Sequence, residues 1–167
     1  MSKPVTEIDR CLRIETERLV LRKWEERDLD GLAEMNVDQQ VMEFYPSVLS
    51  RAESEKMLAR YMDAQQQHLS FGPCVEIGWR LLHCEWGKGI ATEAAQMWLR
   101  FGLETLQLNE IVSFTPVQNS RSEKLMQRLG MVCVEEFEHP MLEDSHRLKR
   151  QVLYKMTRQR YLGQGYD

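Results

Sequence analysis

The chain has 167 residues, 43% of them hydrophobic and 29% charged, and its formal net charge is -4. That length and apolar content suit one globular domain with a core of ordinary size, and residues 1–167 are expected to form it. The acidic balance excludes a global attraction to nucleic acid or to anionic lipid.

Met1 to Arg10 carries Lys3, Glu7, Asp9 and Arg10 and has no apolar core, so it does not read as a signal peptide. Leu12 to Trp24 alternates like a strand, with Leu19, Leu21 and Lys23 against Val20 and Arg22. Glu26 to Asn36 reads as a helix. Ser50-Arg51-Ala52-Glu53 is a capping box, and the helix it opens should run to about His68 with Met57, Leu58, Tyr61 and Met62 on one stripe. Gly72-Pro73 breaks the chain. Cys74 to Leu82 follows as a strand, with Val75, Ile77, Trp79 and Leu81 on one face and Glu76 on the other.

Gly87 opens a helix whose apolar positions, Ile90, Ala94, Met97, Trp98 and Phe101, keep the helical period. Glu110 to Val117 is another buried strand. Ser120-Arg121-Ser122-Glu123 has the form of a second capping box, and Gly130 sits where a C-terminal cap belongs. Met131 to Phe137 and Gln151 to Met156 finish as strands. The order is strand, two helices, strand, helix, strand, helix, two strands, which is mixed α/β. The basic stretch from Arg147 to Arg160 reads as a solvated strand face.

The cysteines Cys11, Cys74, Cys84 and Cys133 form no C-x-x-C pair, and the adjacent His83-Cys84 would point to opposite faces of a strand. No metal is expected. No apolar run approaches the roughly 18 residues of a membrane span. The expectation is a soluble, reduced, cytoplasmic protein with no membrane or nucleic-acid partner.

The chemistry concentrates at Trp86-Gly87-Lys88-Gly89-Ile90-Ala91. A helix start leaves backbone amides without partners and adds partial positive charge. Two glycines let the chain turn tightly and let a phosphate approach with no β-carbon in the way. A Walker loop fails here twice, with Leu82 at its first glycine and Gly89 at its hydroxyl position. A dinucleotide fingerprint fails at Thr92, which stands at its third glycine. A tight turn without a ligand remains the bland alternative.

Val75-Glu76-Ile77-Gly78-Trp79-Arg80-Leu81 followed by Trp86-Gly87-Lys88-Gly89-Ile90-Ala91-Thr92-Glu93-Ala94 resembles the GNAT N-acetyltransferase superfamily. The closest resemblance is to the branch of the ribosomal-protein N-terminal acetyltransferases. Glu15 to Arg22 is similar to that branch's first strand, and Glu110 to Thr115, Asn119, Ser122 and Leu129-Gly130-Met131 to its later strand and helix. The resemblance covers most of the chain in the right order.

It implies a mixed sheet flanked by helices and an N-acetyltransferase that uses acetyl-CoA as cosubstrate. The amine acceptor would be a protein N-terminus or a small molecule. The pyrophosphate would rest on the amides of Gly87, Lys88, Gly89, Ile90 and Ala91, and the pantetheine arm would lie along Leu81 and Leu82. Asn119 and Ser122 would contact the cofactor. Glu76 matches the general base, and Ser122 is the hydroxyl available to protonate the leaving thiolate, since no tyrosine lies between Asn119 and Gly130. The bland readings are an exposed strand carboxylate for Glu76 and an ordinary first-turn residue for Ser122.

The sequence departs from the family twice. Cys84 stands where Gln or Arg is usual, three residues before the first glycine. The second departure is a gap. The family has two more strands between the second helix and the Cys74 strand, and Leu69 to Pro73 is too short to hold them. The sheet should therefore lack two central strands. The exposed edges could then be closed by a second copy, a possible homodimer. An acyl-CoA-binding module with weak or lost transfer is the alternative reading.

Overall fold

The computed structural model describes residues 13–66 and 74–164. The readings made for Met1 to Leu12, His68 and the Gly72-Pro73 break lie outside them.

The first predicted strand is a short hairpin instead. β1 (Arg13–Glu15) pairs antiparallel with β2 (Val20–Arg22), Ile14 opposite Leu21. Thr16 makes the reversal: its amide donates to Leu19 O at 2.9 Å, and its hydroxyl accepts from Leu19 N at 2.9 Å. The polar run Glu15 to Arg18 has no apolar face to bury, so nothing favours extending the strand through it.

A 3-10 turn (Glu26–Asp28) leads into α1 (Leu29–Val37). Asp28 accepts from both Arg22 terminal nitrogens, at 2.7 and 2.6 Å, which ties the hairpin to the helix start. α2 (Arg51–Gln66) opens on the predicted capping box. The Glu53 carboxylate accepts from Ser50 N and Ser50 Oγ, each at 2.7 Å, and Ser50 Oγ accepts from Glu53 N at 3.3 Å. α1 packs on α2 with Leu32 and Leu58 buried, and Asn36 donates to Ser54 Oγ at 2.8 Å.

The second sheet holds β3 (Glu110–Pro116), β4 (Val132–Glu138) and β5 (Arg150–Thr157) in the order β3-β5-β4, all antiparallel. Alternation along β5 sends Val152, Tyr154 and Met156 into the core. α3 (Ile90–Arg100) contributes Ala95 and Leu99 to that core, and α4 (Ser120–Arg128) contributes Leu125 and Met126. α3 continues into a π turn (Phe101–Thr105), where Leu106 N donates to Phe101 O at 3.0 Å. Gly102 belongs there for steric reasons: a Cβ on it would fall 2.6 Å from Ile111 Cδ1 of β3. A last helix not anticipated from the sequence, α5 (Arg158–Gly163), buries Tyr161.

Two local expectations are corrected. Cys74 to Leu82 is extended but is not a full strand. Val112 N donates to Val75 O at 2.9 Å and Ile77 N donates to Val112 O at 2.8 Å, a single parallel bridge between Glu76 and Val112. Beyond Gly78 the segment makes no further ladder bonds to β3, and the Trp86 indole holds Leu81 O at 3.1 Å. The second capping box does not form either. Asn119 caps α4 by accepting from Ser122 N at 3.2 Å, and Glu123 accepts from the Tyr154 hydroxyl at 2.9 Å. An asparagine one residue earlier already satisfies the free amide.

Among the described residues no strand stands between α2 and the bridge at Glu76, so the sheet is short of its two central strands, as the sequence implies. No helix among them is long and apolar enough to cross a membrane.

Candidate active site

A cleft of about 560 Å³ opens where the ladder stops. Gly78 to Leu81 line one wall and Ser113 to Thr115 of β3 line the other. Gly87, Gly89 and the first turn of α3 lie at one side, α4 supplies Arg121, Ser122, Lys124 and Arg128, and Gln40, Val41, Phe44 and Tyr45 of the α1–α2 connection line it too.

The glycine loop is built as the sequence suggests. Gly87 and Gly89 have φ of 76° and 80°, the left-handed region that a side chain disfavours. A Cβ on Gly87 would meet nothing within 4 Å, so the space above that turn is open. Among the described residues nothing accepts from the amides of Gly87 to Thr92; the first bond of the turn is Glu93 N to Gly89 O at 3.0 Å. Six successive donors therefore stand at a helix start beside the cleft, a fitting cradle for a diphosphate. The loop is held from outside. Arg18 donates to Lys88 O at 2.8 Å and pairs with Glu93 at 2.6 Å, and the Thr16 hydroxyl also donates to Glu93. Those bonds, the Thr16 hydroxyl first, hold the Glu93 carboxyl below its ordinary value.

Ser122 has a defined hydroxyl. Its Oγ accepts from Trp79 Nε1 at 3.2 Å and from Asn119 Nδ2 at 3.0 Å. Two acceptor bonds fill both lone pairs of a serine oxygen, so its own proton is free to be donated. Asn119 Nδ2 also donates to Thr115 Oγ1 at 2.9 Å, which fixes the amide between strand and helix.

Of the residues singled out in the sequence, Leu81, Gly87, Gly89, Ile90, Ala91, Asn119 and Ser122 all line this one cleft. Leu82 lines a smaller neighbouring cavity, and Lys88 pairs with Glu85 at 3.1 Å. Glu76 sits at the bridge just outside the cleft lining. Burial raises its carboxyl above the ordinary value, although the residue as a whole is open to solvent. Sequence reasoning missed Trp79 as the partner of Ser122, Arg121 stacked 4.3 Å over the Trp86 ring, and Arg80. The signal for Trp79 was its indole on the strand entering the loop. The others depend on contacts remote in sequence.

A family model for the acetyltransferase (GNAT) domain matches the chain over residues 18–75 and 65–132. The two stretches meet at the connector where the strands are missing. An uncharacterized N-acetyltransferase of Bacillus subtilis, YnaD, is 27% identical over 140 residues, 72% of this chain and 82% of that protein. An uncharacterized N-acetyltransferase of Bacillus licheniformis, p20, is 29% identical over 141 residues, 69% and 79% of the two chains. Among solved structures, a GNAT-family acetyltransferase from Bacillus anthracis superposes with a TM-score of 0.77 at 24% identity, over 89% of this chain and 99% of that one. RimL, a ribosomal-protein alpha-N-acetyltransferase solved in complex with coenzyme A, gives 0.73 at 15% identity over 87% and 97%. With a family model covering most of the chain, N-acetyltransferase relatives and the shared fold all in agreement, the chain belongs to the GNAT family and is an acetyltransferase.

Proposed function

We propose that this enzyme moves an acetyl group from acetyl-CoA to a primary amine, on a protein N-terminus or a small molecule, by direct attack. The observation that carries the reading is the run of six unpartnered amides from Gly87 to Thr92 beside a serine whose lone pairs are both filled. When bound, acetyl-CoA supplies the acetyl group as a thioester.

The amides of Gly87 to Ala91 hold the pyrophosphate. The splayed backbone at Leu81 and Leu82 offers pairing groups to the pantetheine arm. Glu76 takes the proton that the acceptor must lose, directly or through water, because an ammonium has no lone pair. The amine nitrogen then bonds to the thioester carbon, and a free amide near Gly78 meets the developing oxyanion. The carbon–sulfur bond breaks, Ser122 gives its proton to the departing thiolate, and the second proton that the new amide nitrogen loses returns to Ser122 through water. Asn119 and Trp79 keep that hydroxyl aimed. The exposed, unpaired Cys74, Cys84 and Cys133 accord with a reducing cytoplasmic setting.

Replacing Gly89 with valine tests the reading. A β-branched residue at φ of 80° carries a strain of about 1–2 kcal/mol, and its Cβ would approach Arg18 Nη2 at 3.4 Å. Calorimetry with coenzyme A should show at least a tenfold loss of affinity. An unchanged affinity in folded Gly89→Val would remove the loop from the cofactor site.

A further inference from the structure

Among the described residues, Arg80 lines the cleft with soft partners alone. Its Nη1 lies 3.3 Å from Met42 Sδ, its Nη2 lies 3.8 Å from Met57 Sδ, and its Cζ stands 5.1 Å from the centre of the Tyr45 ring. Thioethers are weak acceptors and a phenol face is a diffuse one. The guanidinium is half-buried, and among the described residues no carboxylate pairs with it. Its neighbours explain why. Asp28 and Glu85 share the smaller cavity with Arg80, but Asp28 is held by Arg22 at 2.6 Å and Glu85 by Lys88 at 3.1 Å. A planar fork of five donors is thus packed into the wall of the cleft with no anion of its own to match.

Position gives the cation a use. Glu76 stands at the bridge to Val112, and Arg80 lines the cleft four residues further along, where the segment has left the ladder. Among the described residues no ion pair joins Glu76 to Arg80. Tyr45, whose ring faces Arg80, lines the same cleft. A molecule presenting an amine to Glu76 and an anion to Arg80 would lie along this wall, past Tyr45.

We propose that Arg80 is an anion-recognising residue for the acceptor and that the amine acetylated by this enzyme carries a carboxylate. The inference rests on the acetyl-CoA-to-amine reading above. Arginine matches a carboxylate with two parallel hydrogen bonds, and a charge-assisted bond is roughly twice as strong as a neutral one. The thioethers and the Tyr45 ring hold the fork in place without using it up.

The test compares ω-amino acids of graded chain length with their primary amides, following free thiol released from acetyl-CoA, with coenzyme A affinity measured separately by calorimetry. The wild-type enzyme should prefer the carboxylate member by about tenfold or more in kcat/KM at one chain length. In Arg80→Gln that preference should collapse toward one through a higher KM for the carboxylate. Arg80→Lys, which keeps the charge and loses the fork, should fall between. Transfer to carboxylates and amides alike in the wild-type enzyme, or a preference untouched in Arg80→Gln, overturns the inference and leaves the acetyltransfer reading standing. Coenzyme A that does not bind, with no amine acetylated, overturns that reading and the inference with it. The wild-type comparison decides the matter even if both variants fail to fold.

Discussion

A carboxylate works as a base when it is ionised at the working pH and still holds tightly the proton it accepts. Burial moves Glu76 toward that condition by raising its carboxyl above the ordinary value. If Glu76 takes the acceptor's proton, kcat/KM should climb with pH through the raised value, and Glu76→Gln should lose that limb and about a hundredfold in rate near neutrality. The same shift sets a sign for stability. The folded state holds the Glu76 proton more tightly than the unfolded chain does. Stability is therefore lost as pH rises from the ordinary carboxylate value through the folded one. Glu76→Gln should melt no lower than the parent at neutral pH, and the two should converge in acid. A variant that melts far lower at neutral pH and loses coenzyme A binding would make Glu76 structural. The place of Glu76 opposite Ile77 was legible from strand alternation alone. Its raised carboxyl was not, because burial at this position depends on the tertiary fold, which brings β3 beside it at Val112.

At the scale of elements, the glycine loop depends on a hairpin some seventy residues earlier in the chain, where Arg18 and Thr16 reach Glu93 and Lys88 O. The glycines allow the loop conformation and the hairpin selects it. Arg18→Ala should leave the melting temperature nearly unchanged, since exposed ion pairs contribute little, and should weaken coenzyme A severalfold because the loop must be ordered on binding. An unchanged affinity would mean that the glycine conformations alone fix the loop. This tie was invisible in the sequence, where Glu15 to Arg22 read as one strand and not as the turn between β1 and β2. The long amphipathic helices and the buried β3 and β5 were legible because period and burial agree there. The segment after Glu76 was read as a strand because its apolar alternation is strong. It departs from one because it keeps a single bridge to β3 and then turns away from it, opening the cleft between them. In the basic run Arg147 to Arg160, Arg147, Arg150 and Arg160 face solvent as expected, while Arg158 is tied to Leu103 O at 3.0 Å and Lys155 to Glu110 at 2.9 Å.

Over the whole molecule, the loss of two strands separates the chain into a β1–β2 hairpin and a β3-β5-β4 sheet that share no ladder bond among the described residues. The cleft lies on the other side of the Glu76 segment, where that segment parts from β3 beyond the bridge. The amides of Gly78 to Leu82 accordingly have no acceptor among the described residues, while Ile77 and Val112 are bonded on either side of the bridge. Hydrogen exchange should separate these groups. Ile77, Val112 and the β3–β5 ladder should exchange slowly, because opening them means opening the core around Met126 and Met156, both fully buried. Gly78 to Leu82 and Gly87 to Thr92 should exchange quickly in the free protein. Saturating coenzyme A should slow both segments at least tenfold while the ladder changes little, since a ligand seated in the cleft gives acceptors to amides that the fold leaves without them. The free protein should behave alike at every concentration. β4, the outer strand of the sheet, is bulged between Cys133 and Glu135 and carries Glu135, Glu136 and Glu138, features that discourage edge pairing. Protection of Gly78 to Leu82 that grows with protein concentration and disappears on dilution would instead place a second copy along the edge the missing strands left open. Slow exchange of those amides at every concentration without ligand would refute the splayed wall itself.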